Sequence, residues 1–196
     1  MTSLFDDLLT SIKRRFRPRA NIQQLLRATP IGYYERSRDL YRPKYIGFKF
    51  DFEDQPLTFN ILTWMKRLIG NTAKITYVSL YFSQKSAGSN KNYLHILRMP
   101  YRQNPDQYRL EDLPIQYYCE CDAFKYFIAY ALNTTGNIFK TPTIEQRLGI
   151  ALKQRPKIRN PKEIRFFCKH GINIINEIHG RRLTYFLNDR YKIKSM

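Results

Sequence analysis

The sequence predicts an α+β fold: a small antiparallel sheet or hairpin with flanking helices, packed around a Cys3His cluster and carrying extended basic arms at both ends. Three observations lead there. Short runs of alternating apolar residues, over Ile46–Phe52, Ile75–Ser83, Tyr93–Met99 and Ile115–Glu120, have the period of strands. Runs with apolar residues three and four apart lie before, between and after them, as helices require. All three cysteines of the chain fall in two short pairs, Cys119-Glu120-Cys121 and Cys168-Lys169-His170, the second completed by a histidine. The division that follows is an N-terminal arm over 1–45, an α+β domain over 46–180 with an inserted basic loop over 137–162, and a basic aromatic tail over 181–196.

The first arm begins with an amphipathic helix, Ser3–Arg17. Ser3 can cap it, Asp6 and Asp7 sit in its first turn, and Lys13, Arg14, Arg15 and Arg17 close it, an order that complements the helix dipole. Leu4, Leu8, Ile12 and Phe16 form one face, and Pro18 stops the helix. Such a helix packs on its own domain or docks on a partner; lying on a membrane is the third use of this pattern. Asn21–Thr29 offers a second short helix, capped by Asn21 and closed by Pro30. From Ile31 to Tyr45, arginine and tyrosine mix without a clean period. This stretch reads as an extended, ordered segment lying along another surface, a protein first and nucleic acid second, with Arg36, Arg38 and Arg42 as contact residues.

In the first strand, Ile46, Phe48, Phe50 and Phe52 share one face. Asp51, Glu53 and Asp54 at its end read as an acidic solvated turn rather than a magnesium site, since no further carboxylate pair accompanies them. Thr58–Ile69 reads as a helix stopped by Gly70-Asn71. The second and third strands are joined by Gln84–Asn92, a loop rich in Ser, Gly, Asn and Lys. A polar connector with prolines, Pro100–Pro114, leads to the fourth strand. Asp122 is placed to cap a helix over Ala123–Leu132, ended by Asn133-Thr134-Thr135-Gly136. The insertion that follows is basic, with Lys153, Arg155, Lys157, Arg159, Lys162 and, just beyond it, Arg165 as candidate contacts to a partner or to nucleic acid. Cys168 falls in the turn before a last helix, whose apolar positions are Ile172, Ile174, Ile175 and Ile178.

The two pairs give C-x-C, a long gap, then C-x-H, one complete set of tetrahedral zinc ligands. On an extended Gln116–Cys121 both thiols leave the same face of one strand, and His170 falls in the first turn of the last helix. A metal-free core of buried cysteines with a capping histidine is the alternative. A Cys119–Cys121 disulfide would be strained at that separation and is disfavoured. Because all four ligands come from the protein, the zinc is expected to be structural.

The chain of 196 residues has 34 Lys and Arg against 16 Asp and Glu, a formal charge of +18. So strong a balance calls for a negative counterpart: nucleic acid, an acidic membrane or an acidic protein surface. No apolar run approaches a membrane span and no signal peptide is legible, so thiols in a reducing cytoplasm are expected. The deaminase signature, the P-loop, G-x-S-x-G and H-E-x-x-H are all absent, which argues against an enzyme; His95 and His179 stand alone and read as structural.

The ligand pattern resembles the SWIM-type zinc finger. Cys119-Glu120-Cys121-Asp122-Ala123-Phe124-Lys125-Tyr126, with Tyr130-Ala131, Pro156-Lys157-Ile158-Arg159-Asn160-Pro161 and Cys168-Lys169-His170, is similar to the SWIM-like structural proteins of tailed bacteriophages. The likeness covers roughly 75–180. It implies a non-enzymatic virion component of the neck, tail or head–tail connector, assembled in the host cytoplasm. Its partners would be other virion proteins, in a homo- or hetero-oligomeric assembly, with packaged DNA as a further contact. The segment between the two pairs is longer than in a compact finger, and a nucleic-acid-binding zinc protein is the alternative function.

Overall fold

The structure is a computed structural model, and it describes residues 19–53, 75–86, 91–101, 108–156 and 160–188. The expected helices at Ser3–Arg17 and Thr58–Ile69, the tip of the hairpin loop, Lys157, Arg159 and the end of the tail lie outside the described residues. So does Asp54 of the acidic turn.

Four antiparallel strands form one sheet in the order β1-β2-β3-β4. They span Lys44–Glu53, Ile75–Lys85, Asn92–Tyr101 and Gln116–Cys119. The register aligns one face across the sheet. Val78, Leu80 and Phe82 of β2 stand opposite Met99, Leu97 and His95 of β3, and Leu97 and His95 stand opposite Tyr117 and Cys119 of β4. All of these side chains are buried. This face is the floor of the core, and burying each large apolar side chain on it contributes about 1.5–3 kcal/mol.

β1 departs from simple alternation. A bulge between Tyr45 and Gly47 inserts Ile46 as the extra residue. Tyr45 then pairs with Phe82 and packs its ring on Phe82 and Phe186, while Phe48 and Phe50 regain the same face opposite Leu80 and Val78. Ile46, expected to point inward with them, is instead exposed.

The segment before β1 is part of the domain where it is described. Helix α1, Ile22–Arg27, opens with a reciprocal capping box: Asn21 Oδ1 accepts from Gln24 N–H and Gln24 Oε1 accepts from Asn21 N–H. Ala20, Ile22 and Leu25 are buried in the main core. Ile31–Ser37, expected to be extended, is helix α2. Pro30 holds the entry backbone at φ −63°, and Tyr33, Tyr34 and Ser37 share the inward face at helical spacing. Tyr33 packs on Phe166, and the Tyr34 hydroxyl donates to Leu26 O at 2.7 Å. The arginines dominate the text of this stretch, but its buried residues carry the period.

After β4 the chain turns into a helical run: a π-helical stretch, Phe124–Ile128, continuing as α3, Ala129–Asn133. The described part of the insertion joins the main core. Ile138 and Phe139 are buried beside β4, with Tyr117 N–H donating to Asn137 O and Phe139 N–H to Tyr117 O. Helix α4, Pro142–Leu148, is capped by Thr141, and a 3-10 turn, Gly149–Leu152, follows. Together they bury Ile144, Leu148, Ala151 and Leu152. Helix α5, Lys169–Ile178, packs against α2, and helix α6, Leu183–Asn188, places Phe186 on Tyr45 and Phe82. This part of the expected tail therefore docks on the domain.

Candidate metal centre

Three pieces of chain converge on the β4 end of the buried face. β4 ends at Cys119, so Cys121 is not on the strand as expected but in the turn into the next helix. The two thiols meet through that turn, not through strand alternation. Cys121 N–H points at Cys119 Sγ, and Phe124 N–H points at Cys121 Sγ, each at 3.4 Å. Cys121 thereby caps the helix with its own sulfur, the role the sequence assigned to Asp122, which is exposed. Cys168 is the extended residue preceding α5, and His170 lies in the first turn of α5, as expected. One helix N-terminus thus donates to a sulfur, that of Cys121, while Cys168 makes no such bond at the start of α5.

The ligand atoms of Cys119, Cys121, Cys168 and His170 all lie within 4.8 Å of one another, and all four residues are buried. Neighbouring ligands of a tetrahedral zinc with sulfur bonds of 2.3 Å stand about 3.7 Å apart, so this cluster is close to that spacing. Both ring nitrogens of His170 are buried without a hydrogen-bond partner, although buried polar atoms are nearly always paired. A metal bond satisfies one of them. Three sulfurs and one imidazole are the donor set that suits zinc.

Electrostatics point the same way. Burial pushes the Cys119 thiol well up, and the neighbouring Cys121 and Cys168 push it further. The Cys121 thiol is also well raised, by Cys168 and by burial, against a lowering contact from Cys119. Only Cys168 is held well below its ordinary range: burial raises it, but the neighbouring Cys119, Cys121 and His170 lower it further. The surroundings thus favour a thiolate at Cys168 and oppose one at Cys119 and Cys121, and a divalent cation bound there would favour all three.

Residues that sequence reasoning did not assign to the metal site build the surroundings. Tyr117, fully buried between Phe124 and Phe167, brings its Oη to 3.1 Å from Cys168 Sγ. Gly171 allows that approach, since a Cβ there would stand 2.6 Å from Tyr117 Oη. Glu120, the residue between the first two cysteines, accepts from Leu94 N–H through Oε2 and pairs with Arg147 of α4 through Oε1. Its backbone N–H donates to Leu94 O, so the cysteine turn is tied to both β3 and the insertion. His95 stands opposite Cys119, with burial pushing its imidazole down to about 3. His179 Nδ1 lies 3.2 Å from Glu111 Oε1, at the end of α5.

The expected contact residues divide. Arg42 forms a two-pronged pair with Glu177, at 2.8 and 2.9 Å, which Arg181 joins at 3.0 Å. Arg155 pairs with Glu163 at 2.9 Å and donates to Pro161 O. Arg165 is half-buried and reaches Asn137 Oδ1. These three are bonded within the chain, while Arg42 and Arg155 remain largely exposed. Each has a carboxylate or carbonyl within its own chain that the linear sequence does not place. Arg36 is exposed but folds back over the Tyr33 ring and donates to Gly32 O. Arg38, Lys153 and Lys162 are exposed. Lys157 and Arg159 lie outside the described residues. Asn160, from the P-K-I-R-N-P run, is a buried clamp: its amide donates to Phe127 O and Ile164 O and accepts from Ile164 N–H.

Among the described residues no helix is long and apolar enough to cross a membrane, and no second cluster of metal-ligating side chains is present. Comparison with protein-family models, with curated proteins and with solved structures returns no match.

Proposed function

We propose that Cys119, Cys121, Cys168 and His170 hold a structural zinc ion, and that the chain is a non-enzymatic assembly protein of a tailed-phage virion. The observation that carries the zinc reading is the buried quartet itself, with His170 lacking any other partner. Bound there, zinc would act as a cross-link, joining the end of β4, the following turn and the start of α5. With four protein ligands it has no open position for a substrate. Apparent binding energies of structural zinc sites, about 10–16 kcal/mol in small fingers, are large against the usual stability of a domain.

The assembly reading is supported by the likeness of the C-E-C-D-A-F-K-Y and C-K-H segments to SWIM-like phage proteins, together with exposed Arg38, Lys153 and Lys162 and exposed Tyr41, Tyr126 and Tyr185. Neck, tail and head–tail connector are the places in a particle that this likeness suggests, with other virion proteins as partners. It is tested by mass spectrometry of purified particles from cells expressing the chain's own virus: a fixed copy number per particle is expected, and absence from the particle would overturn it. A nucleic-acid-binding zinc protein is the second reading, favoured by the charge of +18. Tight DNA binding that falls steeply with salt, by a chain missing from particles, would select it.

A further inference from the structure

We infer that His95 belongs to the metal centre as the residue that positions His170, by accepting the ring N–H that His170 does not use for the metal. This rests on the metal reading above. His95 is wholly buried on β3, opposite Cys119, and neither of its ring nitrogens has a hydrogen-bond partner. Its ring centroid lies 5.7 Å from that of His170, whose two nitrogens are equally buried and equally unpartnered. Two adjacent imidazoles with four orphaned nitrogens are a costly thing to bury unless they serve each other or a ligand.

The chemistry of a ligating histidine resolves most of this. One nitrogen gives its lone pair to the metal; the other carries a proton and needs an acceptor, which fixes the ring's orientation. The other groups at the site are committed. Tyr117 Oη is at Cys168 Sγ, and the sulfurs of Cys119 and Cys121 already face the N–H groups of Cys121 and Phe124. Tyr93 presents its ring to His170 at 5.0 Å. His95, a neutral imidazole with one free lone pair, is the acceptor at hand. Imidazole nitrogens lie about 1.2 Å from the ring centre, so at the observed ring separation two of them can approach to about 3.4 Å, and a shift of roughly half an ångström between the rings reaches ordinary hydrogen-bond distance. His95 is thus a positioning residue: it touches His170, not the metal.

The test uses the full chain loaded with zinc and labelled with nitrogen-15. Long-range proton–nitrogen spectra of the histidines are expected to show one His170 nitrogen bound to metal and the other protonated, with a coupling across the N–H···N bond to His95. A second arm compares chelator-driven loss of cobalt from the wild type, His95→Gln, which keeps an acceptor, and His95→Leu, which does not. Loss from His95→Leu should be faster by about 10- to 100-fold, with His95→Gln close to the wild type. A metal-bound His170 with no coupling to His95, or a His95→Leu protein that keeps cobalt as the wild type does, overturns the inference alone. A wild type that binds no metal overturns the metal reading and this inference together. Should His95→Leu fail to fold, the wild-type spectra decide.

Discussion

Gly171→Ala tests the packing around the candidate centre against a clear opposing expectation. Exchanging glycine for alanine in a helix ordinarily stabilises it, by up to about 1 kcal/mol. Here the added Cβ would stand 2.6 Å from Tyr117 Oη, 2.9 Å from Tyr117 Cζ and 2.9 Å from Phe167 Cδ1. Neither ring has room to retreat: Tyr117 and Phe167 are fully buried and pack on each other, and Tyr117 also packs on Phe124. Overpacking of this kind costs about 1–3 kcal/mol, and the upper end applies to three such contacts. Pushing Tyr117 Oη off Cys168 Sγ adds about 1 kcal/mol. Less the helix gain, Gly171→Ala should destabilise the metal-loaded protein by about 2–3 kcal/mol. In urea this is a midpoint lower by roughly 1 M. Tyr117→Phe removes the closest of the three contacts, so the double variant should cost about 1 kcal/mol less than the sum of the two singles. An alanine variant more stable than the wild type would refute this account of the site's walls.

Three further outcomes follow from the same contacts. Asn137 is fully buried, accepts from Ala20 N–H and the Thr135 hydroxyl, and donates to Ala20 O and Ile115 O. Asn137→Ala should therefore cost about 2–4 kcal/mol in urea unfolding, and a loss under about 1 kcal/mol would show that this network binds the N-terminal segment weakly. Glu177 is held below its ordinary carboxylate range first by its bond to Arg42 and then by the charge of Arg181, against partial burial. A depressed carboxylate stabilises the fold above its unfolded pKa, and that contribution fades as pH falls through its folded one. Arg42→Met should hence flatten the acid limb of a stability–pH curve, while an unchanged acid limb would count against the pair. Cys168→Ala should abolish stoichiometric zinc and lower the melting temperature steeply, whereas a variant that melts like the wild type would contradict a structural metal.

The sheet was legible because alternation survives in its strands: Val78, Leu80 and Phe82 read as one face in the sequence and form one in the structure. The quartet was legible because Cys119, Cys121, Cys168 and His170 exhaust the cysteines and match metal-ligand spacing. Four features were not legible, each for a physical reason. A bulge shifts phase by one residue, so Ile46 left the core without any change in the text around it. Helix α2 was hidden by its solvent side, where Arg36 and Arg38 suggested an arm while Tyr33, Tyr34 and Ser37 packed inward. The intrachain partners of two arginines, Glu177 for the exposed Arg42 and Asn137 for the half-buried Arg165, could not be read either, because only the fold brings them near. His95 and Tyr117 join the site through cross-strand register, which a linear spacing does not reveal.

Metal content of the reduced, purified full chain tests the central claim most directly. One zinc per chain is predicted, with cobalt substitution giving the spectrum of a tetrahedral site that includes sulfur ligands, and with Cys119→Ser and His170→Ala each losing it. A reduced, folded protein that takes up no zinc or cobalt would contradict the account and leave the four residues as metal-free core.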